Sequence, residues 1–423
     1  MLWLFLPFLI GLIAGVPISI ALAIGAIFFL LQSPLPLQVF TLQMFQSTSS
    51  FPLMAIPFFI LAGDLMSRTG VTERLMTFAK IIVGRIRGGL SQVMIGTGTI
   101  FAGLSGSAVA DTAATAKVLG PDMVKQGYQR DYVASLSACC GVLGPVIPPS
   151  TMMIIYGATM NVSIGALFVG GILPGLLIAG LLMITAYIIA VRKDHPRGTS
   201  SFSFLILFKG FKDAALALLM PLIIIFGIRG GIFTPTEGGA IAVFYSLFLG
   251  VLVYRSLSLK DLIDSLISSG ITAAIIMLIV ASSKPFGWIL SIEKIPQLMA
   301  QIVTGISTDP LLILLVINLF LLLVGMFMET AAIIVLLGPI LAPIAVSVGI
   351  DPVHFGVLMV VNLTIGMATP PVGVNLFVAA GIMGTTLERI TKSILPLLGA
   401  MLVALVLITY IPQIVLWLPN LIR

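Results

Sequence analysis

Hydrophobic positions fill nearly the whole chain in long blocks, and the few polar clusters between them mark where each block ends. Residues 2–31, 51–66, 164–191, 214–228, 238–254, 266–289 and 392–417 read as plain helical spans, since about 20 apolar residues cross a ~30 Å hydrocarbon layer. Two further blocks, 132–160 and 354–383, are interrupted by the proline pairs Pro148-Pro149 and Pro370-Pro371, so each predicts a broken helix. Elsewhere the apolar segments come in half-lengths. Residues 91–100 and 108–119 flank the tip Gly103-Leu104-Ser105-Gly106-Ser107, and 311–324 and 331–348 flank Gly325 to Thr330. Half-helices joined by such a tip predict a re-entrant hairpin, permitted only where protein or water covers the bare backbone of the turn.

Two stretches carry a different period. Within 67–90, Val71, Leu75, Phe78, Ile81, Ile82 and Ile86 recur near helical spacing between Arg68, Arg74, Lys80, Arg85 and Arg87. That pattern predicts an amphipathic arm lying along the membrane surface, with an ordinary cytoplasmic loop as the plainer alternative. Residues 288–308 form a second arm in which only Glu293 and Lys294 are charged. Thr234-Pro235-Thr236-Glu237 predicts a capping box at the start of a span.

Composition narrows the class. Hydrophobic residues make up 59% of the chain and charged ones 9%, so it is an all-α polytopic membrane protein with no soluble domain. The net charge of +6 reports topology rather than a nucleic-acid partner, for there is no basic-aromatic pattern, heptad or low-complexity tract. The first run has no basic leader and is too long for a cleaved signal. Cys139 and Cys140 are neighbours on one helix, about 100° apart, which excludes a disulfide framework.

The unusual elements occur twice, in the same order. Leu119-Gly120-Pro121 and Leu337-Gly338-Pro339 precede the two breaks, and Pro174 and Pro396 follow them at equal spacing. Of the 21 Lys and Arg, only Arg229, Lys284, Lys294 and Arg423 fall at or near the outer face when the first arm is cytoplasmic and the spans alternate. The N-terminus is then expected inside and the C-terminus outside. The single extra helix near Ala214 inverts the second repeat relative to the first. Scaffold helices are expected at 1–66 and 192–287, the latter opening with a basic loop. The cytoplasmic arm is 67–90, the periplasmic arm 288–308, and the two halves of a transport domain are 91–191 and 309–423.

Inverted repeats with proline-broken helices are the usual pointer to a transporter's binding site. Breaks free carbonyl oxygens that suit Na+, and half-helix N-termini suit carboxylates. Small hydroxyls gather there: Ser105 and Ser107 at the first tip, Ser150 and Thr151 at its break, Thr330 and Thr369 in the second copy. One Na+ is expected between each tip and its break, although any one of these hydroxyls serves equally as a helix–helix contact. Asp111 and Glu329 are intramembrane acids that either neutralise a cation or pair with a neighbour, and Asp111 equally suits a helix start. Asn362, Asn375 and Asn161 are polar groups in or near the broken helices. No Walker A loop is present to supply ATP-driven transport. Gly103-Leu104-Ser105-Gly106 also matches the GxSG of rhomboid-like intramembrane proteases, but such an enzyme needs a histidine in reach, and the chain has only His195 and His354. A channel would need an open file of polar residues.

The segments FAGLSGSAVADTAA, GPVIPPST, FTPTEGGA and ATPPVGVNLFVAA together resemble the large membrane subunit (M, or DctM-like) of tripartite ATP-independent periplasmic (TRAP) transporters, over essentially the whole chain. The resemblance implies no enzyme but an elevator-type, Na+-coupled importer of organic acids such as sialic acid or C4-dicarboxylates, in the bacterial inner membrane. It implies two partners, a small four-helix membrane subunit and a periplasmic substrate-binding protein, the first expected here as a separate chain. Carried onto these positions, it implies Na+ ligation by Ser105, Ser107, Pro148, Pro149, Gly325, Glu329, Thr330, Thr369 and Pro370. The substrate is expected at Gly106, Asp111, Ser150, Thr151, Asn362, Val372 and Asn375. A stand-alone Na+/anion symporter or exchanger of the same superfamily is the alternative.

Overall fold

The computed structural model describes residues 1–197, 204–306 and 309–421. Part of the expected basic loop (198–203), the end of the second arm (307–308) and Arg423 lie outside the described residues. Apart from turns and one isolated bridge between Arg87 and Arg197, the described chain is helical. Helices follow from the composition: in hydrocarbon every backbone N–H and C=O must be paired within its own segment.

The longest element, Leu259–Ile292, has 34 residues and rises about 51 Å. It starts from a capping box in which Ser258 and Asp261 exchange hydrogen bonds, and it packs along Ile18–Leu31, Gln38–Thr48 and Ala55–Arg68. Asp261 lies 3.9 Å from Arg68, so this end of the helix shares a face with the first arm. Lys80 pairs with Asp122 and Arg87 with Asp194, extending that face, called here the basic side. The predicted cap of Pro235–Leu247 forms, with Glu237 Oε2 accepting from Thr234 N at 2.7 Å.

One expected span is not a span. Residues 2–31 fold as Leu2–Ile13 and Ile18–Leu31, which return on each other so that Gly11 packs on Ala21 and Gly25 on the Leu4 backbone. At 12 and 14 residues, about 18 and 21 Å, neither crosses a ~30 Å core. Gly15 at φ +76 makes the turn and Pro17 N-caps the return helix, details invisible in a block that is apolar throughout. Leu4, Phe8 and Leu30 cluster with Phe286, Ile289 and Leu290, far from the basic side along the long helix. A cytoplasmic N-terminus followed from one unbroken span and does not follow from this returning pair.

The first arm is Val71–Val83, flanked by left-handed Gly70 and Gly88. Arg74 sits 4.1 Å over the Tyr254 ring, and Ser256 Oγ donates to Thr69 O at 3.0 Å, which ties one end to the scaffold. At the other end Gly88 N donates to Pro196 O at 3.1 Å and Arg87 pairs with Asp194. The second arm is shorter than expected, Ile295–Ile306, because Trp288 to Ile292 continue the long helix.

Both hairpins form, Gly89–Ser105 with Ala108–Lys125 and Pro310–Gly325 with Thr330–Ser347, each packed on a broken helix. The breaks separate Arg130–Gly141 from Thr151–Met160 and Pro352–Gly366 from Val374–Met383, and both Pro-Pro bonds are cis. Hairpin one rests its open end on the basic side, where Asp122 meets Lys80. Hairpin two has its open end by Tyr410, whose hydroxyl lies 3.5 Å from Leu311 O. Tyr410 ends a 24-residue helix that begins beside Asp131 and Ser135, so the second hairpin enters from the opposite side. The two repeats are therefore inverted.

Candidate functional site

The first tip is built by two cap residues. Gly106, at φ +61, ends one half-helix, and Ser107 starts the next, its Oγ accepting from Ala110 N at 3.4 Å. Ser105 Oγ donates to Asp111 Oδ1 and also accepts from Ser107 N at 3.2 Å. Thr151 Oγ1 donates across to Gly106 O at 3.2 Å, while Ser150 Oγ donates to Pro145 O at 2.5 Å and caps its own helix. A Cβ on Gly103 would stand 3.2 Å from Pro148 O, and one on Gly106 would stand 3.1 Å from Pro149 O. The carbonyls of the cis proline pair thus lie against the tip, closer than a side chain ordinarily packs.

Asp111 is fully buried, and its Oδ2 has no partner among the described residues. That oxygen faces the break: a Cβ on Gly144 would stand 2.4 Å from it and 3.1 Å from Ser107 O. An unpaired buried carboxylate oxygen among hydroxyls and carbonyls is the donor set of a hard cation. Among the described residues no three His, Cys, Asp or Glu side chains gather as a softer metal would require.

The second copy repeats the design with different side chains. Gly366 packs backbone to backbone on Gly325, a Cβ there lying 2.7 Å from Gly325 C. Gly373 N donates to Met326 O at 3.1 Å, pinning tip to break. Thr330 Oγ1 lies 3.2 Å from Met367 Sδ, and Thr369 Oγ1 donates to Ile365 O at 2.7 Å. Pro370 and Val372 are half-buried in the turn of this break.

Two cavities open where these parts meet the scaffold. One of about 530 Å³, towards the basic side, is lined by Ser105, Ser107, Thr151 and Glu329 together with Asp64, Glu73, Lys117, Thr272 and Ile276. It brings both hairpin tips and the first break to one space. A second, of about 470 Å³, lies on the other side, between Val280, Ser283 and Lys284 of the long helix and Ala158 to Asn161. Ile276 and Val280, one helical turn apart, separate the two along the long helix.

Three expected residues sit elsewhere. Asn362 Nδ2 donates to Asn318 Oδ1 at 2.7 Å, and Asn318 in turn to Thr409 at 2.9 Å, a buried seam between helices. Asn375 Nδ2 donates to Ala138 O at 3.3 Å, and Asn161, at φ 55, ends a helix at the second cavity. Neither histidine serves a protease at Ser105. His354 Nε2 bonds Ile408 O at 2.9 Å, and His195 packs on Tyr128 and Tyr132 with ring centroids 4.5 and 5.1 Å away.

The model of the tripartite ATP-independent periplasmic transporter DctM component matches residues 2–414. The chain belongs to the DctM family. It is 41% identical to the sialic acid TRAP transporter large permease protein SiaM of Vibrio cholerae, over 97% of this chain and 96% of that one. It is 42% identical to the isethionate TRAP transporter permease protein DctMQ of Oleidesulfovibrio alaskensis, over 97% of this chain but only 65% of that longer protein. In fold it is similar to the crystal structure of the Alcanivorax borkumensis YdaH transporter, with a TM-score of 0.62 at 15% identity, covering 88% of this chain and 87% of that one.

For this DctM-family large permease, sequence reasoning missed five further residues that line the cavity, from scaffold, arm and hairpin: Asp64, Ser67, Glu73, Lys117 and Thr272. Lys117 was legible in principle, since Ala110, Ala114 and Lys117 follow Ser107 at helical spacing, a small-residue groove ending in a base. Asp64 was hidden by a structural role, bonding Arg68 at 3.1 Å and Ser268 at 3.3 Å.

Proposed function

We propose that this chain is the large permease of a Na+-coupled TRAP importer for an organic acid, working by an elevator movement in the bacterial inner membrane. The observation that carries the reading is the meeting of both tips and the first break at the 530 Å³ cavity, with a second cavity one turn away on the other side. The body formed by the hairpins and broken helices carries the substrate between the two openings, sliding against the long scaffold helix. The first arm, tied to the scaffold at Thr69 and packed at Gly88 against Ala190 of the moving body, is its strap. The basic side faces the cytoplasm by the positive-inside rule, which puts Leu421 towards the periplasm.

Na+ moves with the substrate as co-transported cargo. At the first site Ser105, Ser107, Asp111 and the Pro148 and Pro149 carbonyls supply oxygens. At the second, Thr369, Glu329, Thr330 and the backbone of Gly325 and Pro370 do so. The anion occupies the cavity beside Thr151, with Lys117 as the base that lines it. Two Na+ with a monoanion move one net charge inward, about 2.3 kcal/mol per 100 mV, so the membrane potential drives import without ATP. The relatives named for sialic acid and isethionate suggest a small carboxylate or sulfonate. Partners of the class are a small membrane subunit and a periplasmic binding protein.

The test is uptake of sialic acid, succinate or isethionate by proteoliposomes holding this chain with its small subunit, with and without the binding protein and a Na+ gradient. Uptake that needs both gradient and binding protein is the expected result. Uptake indifferent to Na+ removes the coupling, and uptake without the binding protein favours a stand-alone symporter.

A further inference from the structure

The 470 Å³ cavity on the periplasmic side has one charged residue in its lining, Lys284. This lysine lies inside Leu259–Ile292, is exposed to the cavity, and has no ion-pair partner within 4.0 Å among the described residues. An ammonium group within a membrane-spanning helix is costly unless water or a counter-charge meets it. Around it stand Gln46, Asn161, Ser291 and Trp288, groups that donate hydrogen bonds and pack flat surfaces without supplying an anion.

A third cavity, of about 580 Å³, shares the lining residues Ser50, Ala158 and Asn161 with this one, so the two are adjacent. Its only charged lining residue is Arg229. Arg229 Nη2 donates to Pro419 O at 3.2 Å, while its Nε is buried without a partner. The acid nearest in sequence, Glu237, is turned away onto Thr234 N and Oγ1, at 2.7 and 2.9 Å. These two cavities present two bases and no acid in their own linings, and the neighbouring cavity that shares Asn161 with both adds only Asp351, whose Oδ1 already accepts from Val353 N and His354 N as a helix cap; the cavity on the basic side is instead lined by Asp64, Glu73 and Glu329 against Lys117.

We propose that these adjacent cavities connect as an anion track, with Arg229 at the mouth and Lys284 at the inner end, that receives a carboxylate or sulfonate before the transport body takes it. Volumes of this size accept a small organic acid. The direction of travel rests on the import reading above; the anion site itself does not.

The test uses the full chain with its small subunit in liposomes, carrying Ser291→Cys as reporter, since Ser291 lines the track and both native cysteines are buried. The probes are two thiol reagents of similar size, the anionic 2-sulfonatoethyl and the cationic 2-(trimethylammonio)ethyl methanethiosulfonates. Relative to each reagent's rate with a free thiol in solution, the anionic reagent is expected to react about tenfold faster than the cationic one, K284Q to remove most of that preference, and K284R to keep it. In a complex that takes up one of the three acids, K284Q and R229Q are expected to raise the half-saturating concentration about tenfold with the maximal rate kept. An anionic preference that is absent, or that survives K284Q, overturns the track, as does an unchanged half-saturation in both variants. If no acid is taken up at all, the reagent preference alone decides the track, and the failure counts against the import reading.

Discussion

Replacing Gly366 with Ala drives a methyl group into the backbone of the second hairpin tip. The new Cβ would stand 2.7 Å from Gly325 C, 2.8 Å from its Cα and 3.0 Å from its O. No side chain is present there to swing aside, and carbon atoms pack at about 3.5–4.0 Å, so tip and break must part by roughly 1 Å. Overpacking of this kind costs about 1–3 kcal/mol. If the tip–break junction holds Na+, that cost falls on the ion-bound state, where 1.4 kcal/mol per tenfold makes it roughly a 5- to 150-fold weaker affinity. The assay is the Na+ concentration that half-maximally raises the melting temperature of the purified chain, because a ligand bound only to the folded state stabilises it by mass action. Gly180→Ala is the control, since a Cβ there meets nothing within 4 Å. A Na+ titration for Gly366→Ala that overlays both wild type and Gly180→Ala refutes the placement of an ion at this junction.

Asp111→Asn keeps the bond from Ser105 but removes the charge from the unpaired Oδ2; Na+ affinity should fall about 10- to 100-fold, read from Na+ activation of uptake, and an unchanged activation curve would free Asp111 of any ionic role. Gly88→Ala meets both a left-handed φ of +71 and the Ala190 Cβ at 2.4 Å, so it should slow maximal uptake severalfold while leaving half-saturation nearly unchanged; the reverse split would place Gly88 in binding rather than in the strap. His195 lies outside the spans, where burial, and secondarily the Lys193 ammonium, lower its pKa below the ordinary histidine value. The folded state therefore prefers neutral His195 and the unfolded state takes the proton first, so this stability is present above about pH 6.5 and is lost as pH falls from there through the lowered folded value. Melting curves between about pH 7 and 5 should show that loss in wild type and a flatter profile in His195→Phe.

The sequence alone determined the class and the repeated parts. Apolar blocks demanded a bilayer, and the proline pairs and tips were visible as interruptions. These are local properties, fixed by what a backbone segment can do in hydrocarbon. The tertiary structure decided which residues share a space. It folded residues 2–31 back on themselves, where uniform apolarity carries no period to read. It sent Asn362 to Asn318 rather than to the cavity, because a buried amide takes whichever partner lies within 3 Å. It brought Lys117, Asp64 and Glu329 from a hairpin, the scaffold and the opposite repeat to one cavity, and among the described residues it left Lys284 and Arg229 with no acid within 4.0 Å. Charge pairing across the bilayer depends on which helix faces sit side by side, and no pattern along one chain records that.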